Sequence, residues 1–167
     1  MAGHSDNDMA LPVFEEAPKV LIVIAPYYTA IAEAQLASAR AVIERAGATH
    51  ETIEVPGSLE VPTAIAMAHR QADYDGYVAL GCVIRGRTSH YDVVVNESAR
   101  AIATLGLGGA CIGNGIITVE NMEQAVERAD AERLDTAGGA AQAALHLIHL
   151  QRALKKGPTD IGFGKPA

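Results

Sequence analysis

Two hydrophobic periods take turns along this chain. Nearly uninterrupted apolar runs recur at Lys19 to Ala25 (Val20-Leu21-Ile22-Val23-Ile24) and at Tyr77 to Ile84, and an alternating run covers Thr49 to Val55. Runs of this length, bounded by Pro18 and Pro26 or stopped at Pro56-Gly57, predict strands; the fully apolar ones suit a parallel sheet covered on both faces. Between them lie helical stripes. Ile31 to Arg45 carries Leu36, Ala39, Val42, Ile43 and Ala46 on one side and is closed by Gly47. Ser58 is placed to cap a helix from Leu59 to Ala72, with Pro62 tolerated in the first turn. Ser89 and Asp92 stand in capping-box spacing ahead of a helix that starts at His90 and runs through Val93, Val94, Val95, Ala99 and Ile102. A glycine-rich stretch from Gly106 to Gly109 leads to a fourth strand, Ala110 to Ile117. A short helix from Glu120 to Ala129 and a longer one from Thr136 to Lys156 complete the pattern.

Strand and helix in this alternation predict an α/β fold, with a parallel sheet between two helical layers. A single domain is expected over 19–156, with a flexible leader over 1–18 and an irregular tail over 157–167; no internal repeat is visible. Ligands of such sheets bind outside the carboxyl ends of the strands. Those ends carry Pro26-Tyr27-Tyr28, Pro56-Gly57-Ser58-Leu59-Glu60, Cys82 to His90, and Asn114 to Thr118.

Composition narrows the function classes. Only 4% of residues are aromatic and none is Trp, so alanine and short aliphatics must do most of the packing. A net charge of −7 argues against nucleic acid or an anionic membrane as the main partner, although a local basic loop still binds phosphate in an acidic protein. Cys82 and Cys111 fall on predicted neighbouring strands and read as buried thiols of a reducing compartment. No apolar run approaches the about 18 residues needed to span a bilayer, and Met1 to Asp8 lacks the basic and apolar parts of a signal peptide. A cytoplasmic location is expected.

The candidate chemistry is densest from Gly81 to Asp92. An apolar strand ends there in Arg85-Gly86-Arg87-Thr88-Ser89-His90, where Gly86 is expected to permit a turn and the close approach of a ligand. Free backbone N–H groups at the start of the following helix, backed by its dipole, form an anion site. A histidine at that position is placed to accept and return a proton near neutral pH. Tyr27 or Tyr28 can stack on a flat heterocycle. Glu60 can accept hydrogen bonds from a polyol or an amine, yet an acid in a first turn also stabilises its helix unaided. Arg128 can clamp a phosphate, yet the dipole favours an arginine near a helix end in any case. The apolar surroundings of Cys82 give no reason for thiolate character. His146 and His149 lie three apart on one helix without a nearby third ligand, so no metal site is expected.

Taken together, Pro56-Gly57-Ser58-Leu59-Glu60-Val61-Pro62, Gly81-Cys82-Val83-Ile84-Arg85-Gly86 with Thr88 and His90, and Gly115 with Thr118, Glu120-Asn121, Glu123-Gln124-Ala125 and Arg128 resemble the 6,7-dimethyl-8-ribityllumazine synthase family. The likeness runs from Lys19 to Leu154, with the motifs in order on four strand ends. It implies a flavodoxin-like three-layer α/β/α sandwich around a four-stranded parallel sheet. It also implies condensation of 5-amino-6-(D-ribitylamino)uracil with 3,4-dihydroxy-2-butanone 4-phosphate, with no metal or organic cofactor. By motif position it makes Tyr27 the aromatic that stacks on the pyrimidine, and Ser58, Leu59, Glu60, Cys82, Val83 and Ile84 the lining of the pyrimidine and ribityl pocket. Arg87 and Thr88 match the phosphate loop, His90 the proton-transfer residue, Asn114 a substrate contact and Arg128 the phosphate-binding arginine. The last two come from a neighbouring subunit in the family, whose members form pentamers, paired pentamers or sixty-subunit capsids. Tyr27 stands where phenylalanine is usual, Pro26 where arginine is common, and Ala137 near the place of a frequent lysine. A flavodoxin-like protein that only binds a flavin or its precursor, or that only builds a shell, is the alternative reading.

Overall fold

Strand β1, Lys19–Ile24, is the buried spine of the fold, with Val20 through Ile24 between 0 and 1% exposed. Its side chains divide by parity. Val20, Ile22 and Ile24 join one apolar cluster, whereas Leu21 and Val23 join another on the opposite face. The computed structural model describes residues 9–156; the leader over Met1 to Asp8 and the tail over Gly157 to Ala167 lie outside the described residues.

Helix α1 (Thr29–Arg45), strand β2 (Thr49–Glu54), helix α2 (Glu60–Gln71), strand β3 (Gly76–Ile84), helix α3 (His90–Leu107), strand β4 (Ile112–Val119), helix α4 (Met122–Ala129) and helix α5 (Thr136–Lys156) follow β1 in order. The four strands pair in parallel in the order β2-β1-β3-β4. Helices α1 and α5 cover one face through Ala39, Val42, Ile43, Ala141, Leu145 and Ile148. Helices α2 and α3 cover the other through Val61, Ile65 and Ile102. Helix α4 closes the end of the first layer, its Ala125 and Ala129 packing with Ile31, Cys82, Ile117 and Val119. The result is a flavodoxin-like three-layer α/β/α sandwich. Alanine does the packing that aromatics do elsewhere: the alanine face of α5 lies so close to β4 that a Cβ on Gly115 would come 3.1 Å from the Ala140 Cβ.

Two expectations shift. Strand β4 begins at Ile112 rather than Ala110, because the Ala110 N–H still donates to Leu105 in the closing turn of α3 and the ladder to β3 starts only afterwards. Residues 9–18, expected within a leader, lie along α5. There Leu11 and Phe14 pack against the core, the Phe14 ring meets His149 edge-on at 6.1 Å, and Arg152 donates to the Glu16 carbonyl at 2.6 Å.

Candidate active site

In a parallel sheet every strand delivers its C-terminal end to the same rim, and four loops meet there. After β1, Pro26 ends the pairing, and Tyr27 stands 74% exposed with its ring 5.0 Å from that of Tyr28. Strand β2 is extended by one bond, from the Val55 N–H to the Ile24 carbonyl, before the turn at Pro56-Gly57. Ser58 then turns inward. It is 6% exposed, and its Oγ lies 2.9 Å from where a Cβ on Gly81 would stand, so the missing side chain on β3 makes room for it. Ser58 does not cap α2. The capping position belongs to Leu59, which already has helical dihedrals, while Glu60 opens the helix with an exposed carboxylate.

The β3–α3 loop is the most exposed part of the rim, Arg85 through His90 all facing solvent. Ser89 occupies the capping position of α3 but makes no side-chain cap bond, because its own backbone is helical (φ −66°, ψ −3°) and its carbonyl already receives the Asp92 and Val93 N–H groups. Asp92 is engaged elsewhere, by Arg85 at 3.2 Å, so the expected capping box does not form. Backbone N–H groups from Gly86 to Tyr91 donate to no protein group among the described residues. Gly86 has no positive φ, and a Cβ there would touch nothing within 4 Å, so the turn itself does not require glycine. What glycine leaves at that point is open space above unpaired N–H donors, the arrangement an anion uses.

Arg85 carries no assigned role in the motif reading, yet it ties the rim together. Its N–H extends the β3–β4 ladder to Val119, its Nε meets Glu120 at 2.9 Å, and its guanidinium lies 4.0 Å from the centre of the Tyr91 ring. The one sequence signal for this was the opposite charge seven residues on, at Asp92. A side-chain cap not expected from the sequence forms at the next loop: Asn121 accepts from the Gln124 N–H at 3.0 Å, and the Gln124 side chain reaches one residue past the cap to accept from the Glu120 N–H at 3.0 Å.

Not every candidate joins the rim as a side chain. Cys82 points into the apolar cluster under α1 and α4, and burial pushes its thiol from 9.0 to about 11, so it is a thiol and only its backbone faces the rim. Val83 and Ile84 are half-buried at the strand end. Asn114 sits mid-strand on edge strand β4, opposite Ala79, exposed and accepting from the Ile116 N–H. It lies five residues short of the strand end, about 16 Å along β4. Arg128 lies in the last turn of α4, half-buried, with its guanidinium 3.4 Å from the Gln124 carbonyl. Helix α4 packs on the face of the sheet opposite to α3, whose first residue is His90. The chain therefore brings Tyr27, Ser58, Leu59, Glu60, Val83, Ile84, Arg87, Thr88 and His90 to one rim, and leaves Asn114 and Arg128 outside that group. No cluster of three metal-binding side chains exists among the described residues.

The sequence pattern of the family described as 6,7-dimethyl-8-ribityllumazine synthase matches residues 17–152. A protein of that name from Jannaschia sp. (strain CCS1) is 69% identical over 163 residues, covering 98% of this chain and 92% of its own length. One from Sphingopyxis alaskensis is 53% identical over 132 residues, or 79% of this chain and 94% of that protein. One from Agrobacterium fabrum is 51% identical over 143 residues, or 82% of this chain and 97% of that protein.

Proposed function

This chain belongs to the 6,7-dimethyl-8-ribityllumazine synthase family and is a transferase of riboflavin biosynthesis, condensing 5-amino-6-(D-ribitylamino)uracil with 3,4-dihydroxy-2-butanone 4-phosphate; from that premise we propose that the reaction takes place at the strand-end rim, with His90 moving its protons. The observation that carries this reading is the run of unpaired N–H groups from Gly86 to Tyr91, beside exposed Arg87, Thr88 and His90. A phosphate set on those donors brings its own carbon chain within reach of the imidazole.

In this reading Tyr27 stacks on the pyrimidine, while Ser58, Leu59, Glu60, Val83, Ile84 and the Cys82 backbone line the pyrimidine and ribityl pocket. Arg87, Thr88 and the loop N–H groups hold the phosphate. The pyrimidine amine attacks the ketone and water leaves as the imine forms. Removal of a proton from the adjacent carbon by His90 then drives the bonding electrons toward the C–O bond and inorganic phosphate departs, its charge met by the loop donors. The resulting enol becomes a ketone, and attack by the ribityl-bearing nitrogen closes the second ring with loss of another water. Holding two reactive partners together supplies much of the rate, since neither needs strong activation.

The site is completed by assembly. Asn114 and Arg128 reach the substrates from a neighbouring protomer, in a pentamer or a larger particle built from pentamers. Two features support self-association: the rim of a lone protomer is open, and Leu147, Leu150 and Leu154 line an apolar groove of about 370 Å³ beside edge strand β4, with Leu154 72% exposed. No helix among the described residues is long and apolar enough to cross a membrane, and the free thiols Cys82 and Cys111 suit a reducing compartment; the proposal locates the enzyme in the cytoplasm.

The test is to mix purified protein with both substrates and follow lumazine absorbance and phosphate release together. Formation faster than in the uncatalysed mixture is expected, and His90→Ala should lower kcat by about 10²-fold while staying above that background. Wild-type turnover in His90→Ala would remove the histidine from the mechanism. A monomer in sedimentation analysis would overturn the shared site.

A further inference from the structure

The β3–α3 loop leaves the sheet at Arg85 and enters α3 at His90, and no side chain among the described residues bonds to the four residues between. What closes the loop is Arg85 itself. Its guanidinium reaches forward to Asp92 in the first turn of α3 at 3.2 Å and sideways to Glu120 at the end of β4 at 2.9 Å, and it stacks on Tyr91 at 4.0 Å. One planar group thus fixes both ends of the loop and ties them to the neighbouring strand, which suits arginine and not a point charge on a flexible stem.

We infer that Arg85 is a positioning residue that sets the geometry of the phosphate-holding loop without itself touching the phosphate; the inference rests on the reaction site assigned above. Asp92 and Glu120 already engage the Arg85 guanidinium, and its face lies on the Tyr91 ring, so its donors are committed to holding the loop. Arg87, two residues on, makes no ion pair among the described residues and stays exposed to meet one. Two arginines in one short loop therefore divide the work: Arg85 holds the donors in place and Arg87 binds the anion.

The consequence is selective. Losing Arg85 loosens the N–H groups from Gly86 to Tyr91, while the pyrimidine pocket, built on the loops after β1 and β2 and on the end of β3 that stays paired to β4 through Ile84, keeps its own supports. The experiment compares Arg85→Met, Arg85→Lys and Glu120→Gln with wild type in the complete enzyme. It measures KM for each substrate, kcat, and the Kd of inorganic phosphate by calorimetry. Arg85→Met should raise KM for the butanone phosphate and Kd for phosphate by on the order of tenfold, because a displaced donor set binds poorly. KM for the pyrimidine should stay within about twofold. Arg85→Lys should recover only part of the loss, because it keeps the charge and drops the fork. Glu120→Gln should weaken phosphate binding by a smaller factor than Arg85→Met. If Arg85 were instead a phosphate ligand, Glu120→Gln would free it and phosphate would bind more tightly; that result overturns the inference. Equal rises in both KM values, or unchanged phosphate affinity, overturn it as well. Should Arg85→Met fail to fold by circular dichroism, the lysine and glutamine variants decide by the same signs. Wild-type protein that turned over nothing would instead refute the reaction assigned above, and the calorimetric comparison would still judge Arg85.

Discussion

Substitution of Gly113 by alanine probes the tightest contact in the fold. A Cβ built on Gly113 would stand 1.8 Å from the Ala140 carbonyl oxygen, 2.6 Å from its carbon and 3.1 Å from its Cα. These are helix backbone atoms, so no side-chain rotation relieves the clash. To restore an ordinary carbon–oxygen contact, α5 must retreat from β4 by about 1.5 Å. Ala137, Ala140, Ala141, Ala144, Leu145 and Ile148 form the buried face of that helix, and a gap of even about 0.5–1 Å forfeits a quarter to a half of each dispersion contact. The cost should reach at least about 3 kcal/mol, the upper part of the range for overpacked cores. Gly139, one position along α5 from Ala140, is the control, since a Cβ there meets nothing within 4 Å. Alanine at Gly139 should stabilise by about 0.4–1 kcal/mol through the unfolded chain. The same chemical change therefore has opposite signs at a buried strand glycine and at an exposed helix glycine beside its contact. Urea unfolding at matched protomer concentration, read by far-ultraviolet circular dichroism, measures both. A Gly113→Ala midpoint within about 1 kcal/mol of wild type would refute the packing argument. The functional corollary is that Gly113→Ala also lowers activity, because its neighbour Asn114 moves with the strand.

Cys82 should be inert: a rise from 9.0 to about 11 cuts the thiolate fraction about a hundredfold near neutral pH, so iodoacetamide should label it at least that much more slowly than a free peptide thiol, and prompt labelling of folded protein would contradict its burial. The same burial makes the fold alkali-sensitive. The folded protein keeps the Cys82 proton where the unfolded chain releases it, so that contribution is complete below about pH 9 and is lost as pH rises through about 11. Burial pushes Tyr28, Tyr77 and Cys111 in the same direction, and urea midpoints that stay flat across that window would count against all four. Ser38 donates to the Asp135 carboxylate, which also accepts from the Gly138 N–H and so holds the start of α5; Ser38→Ala should cost about 1–2 kcal/mol, and a variant as stable as wild type would remove Ser38 as an anchor.

Most of the architecture was legible because it is encoded over short spans. A helix stripe depends on residues three and four apart and a strand run on its nearest neighbours, so α5 appears over Thr136–Lys156 as its pattern predicts. Parallel pairing followed from the alternation, and the position of the proposed site follows from parallel pairing. Three strand ends, carrying Tyr27, Ser58 to Glu60, and Arg87 to His90, had to share a rim. The motifs added the chemistry, because phosphate needs N–H donors and a cation, and proton transfer needs a group such as imidazole.

What only the tertiary structure decided are choices between partners far apart in the chain. Ser58 and Ser89 each offered a helix cap in the sequence. Packing instead sends Ser58 into the space left by Gly81, and Arg85 takes the carboxylate that the second cap required. Cys82 lies in a strand covered on both faces, so its apolar neighbours could not say which layer it enters. Arg85 and Glu120 are thirty-five residues apart and meet because β3 and β4 are adjacent in the sheet order. Periodicity states that a strand exists and which residues share its face; it does not state which strand lies beside it. That adjacency, fixed by the burial of the whole sheet, is what turns a basic loop into a held one.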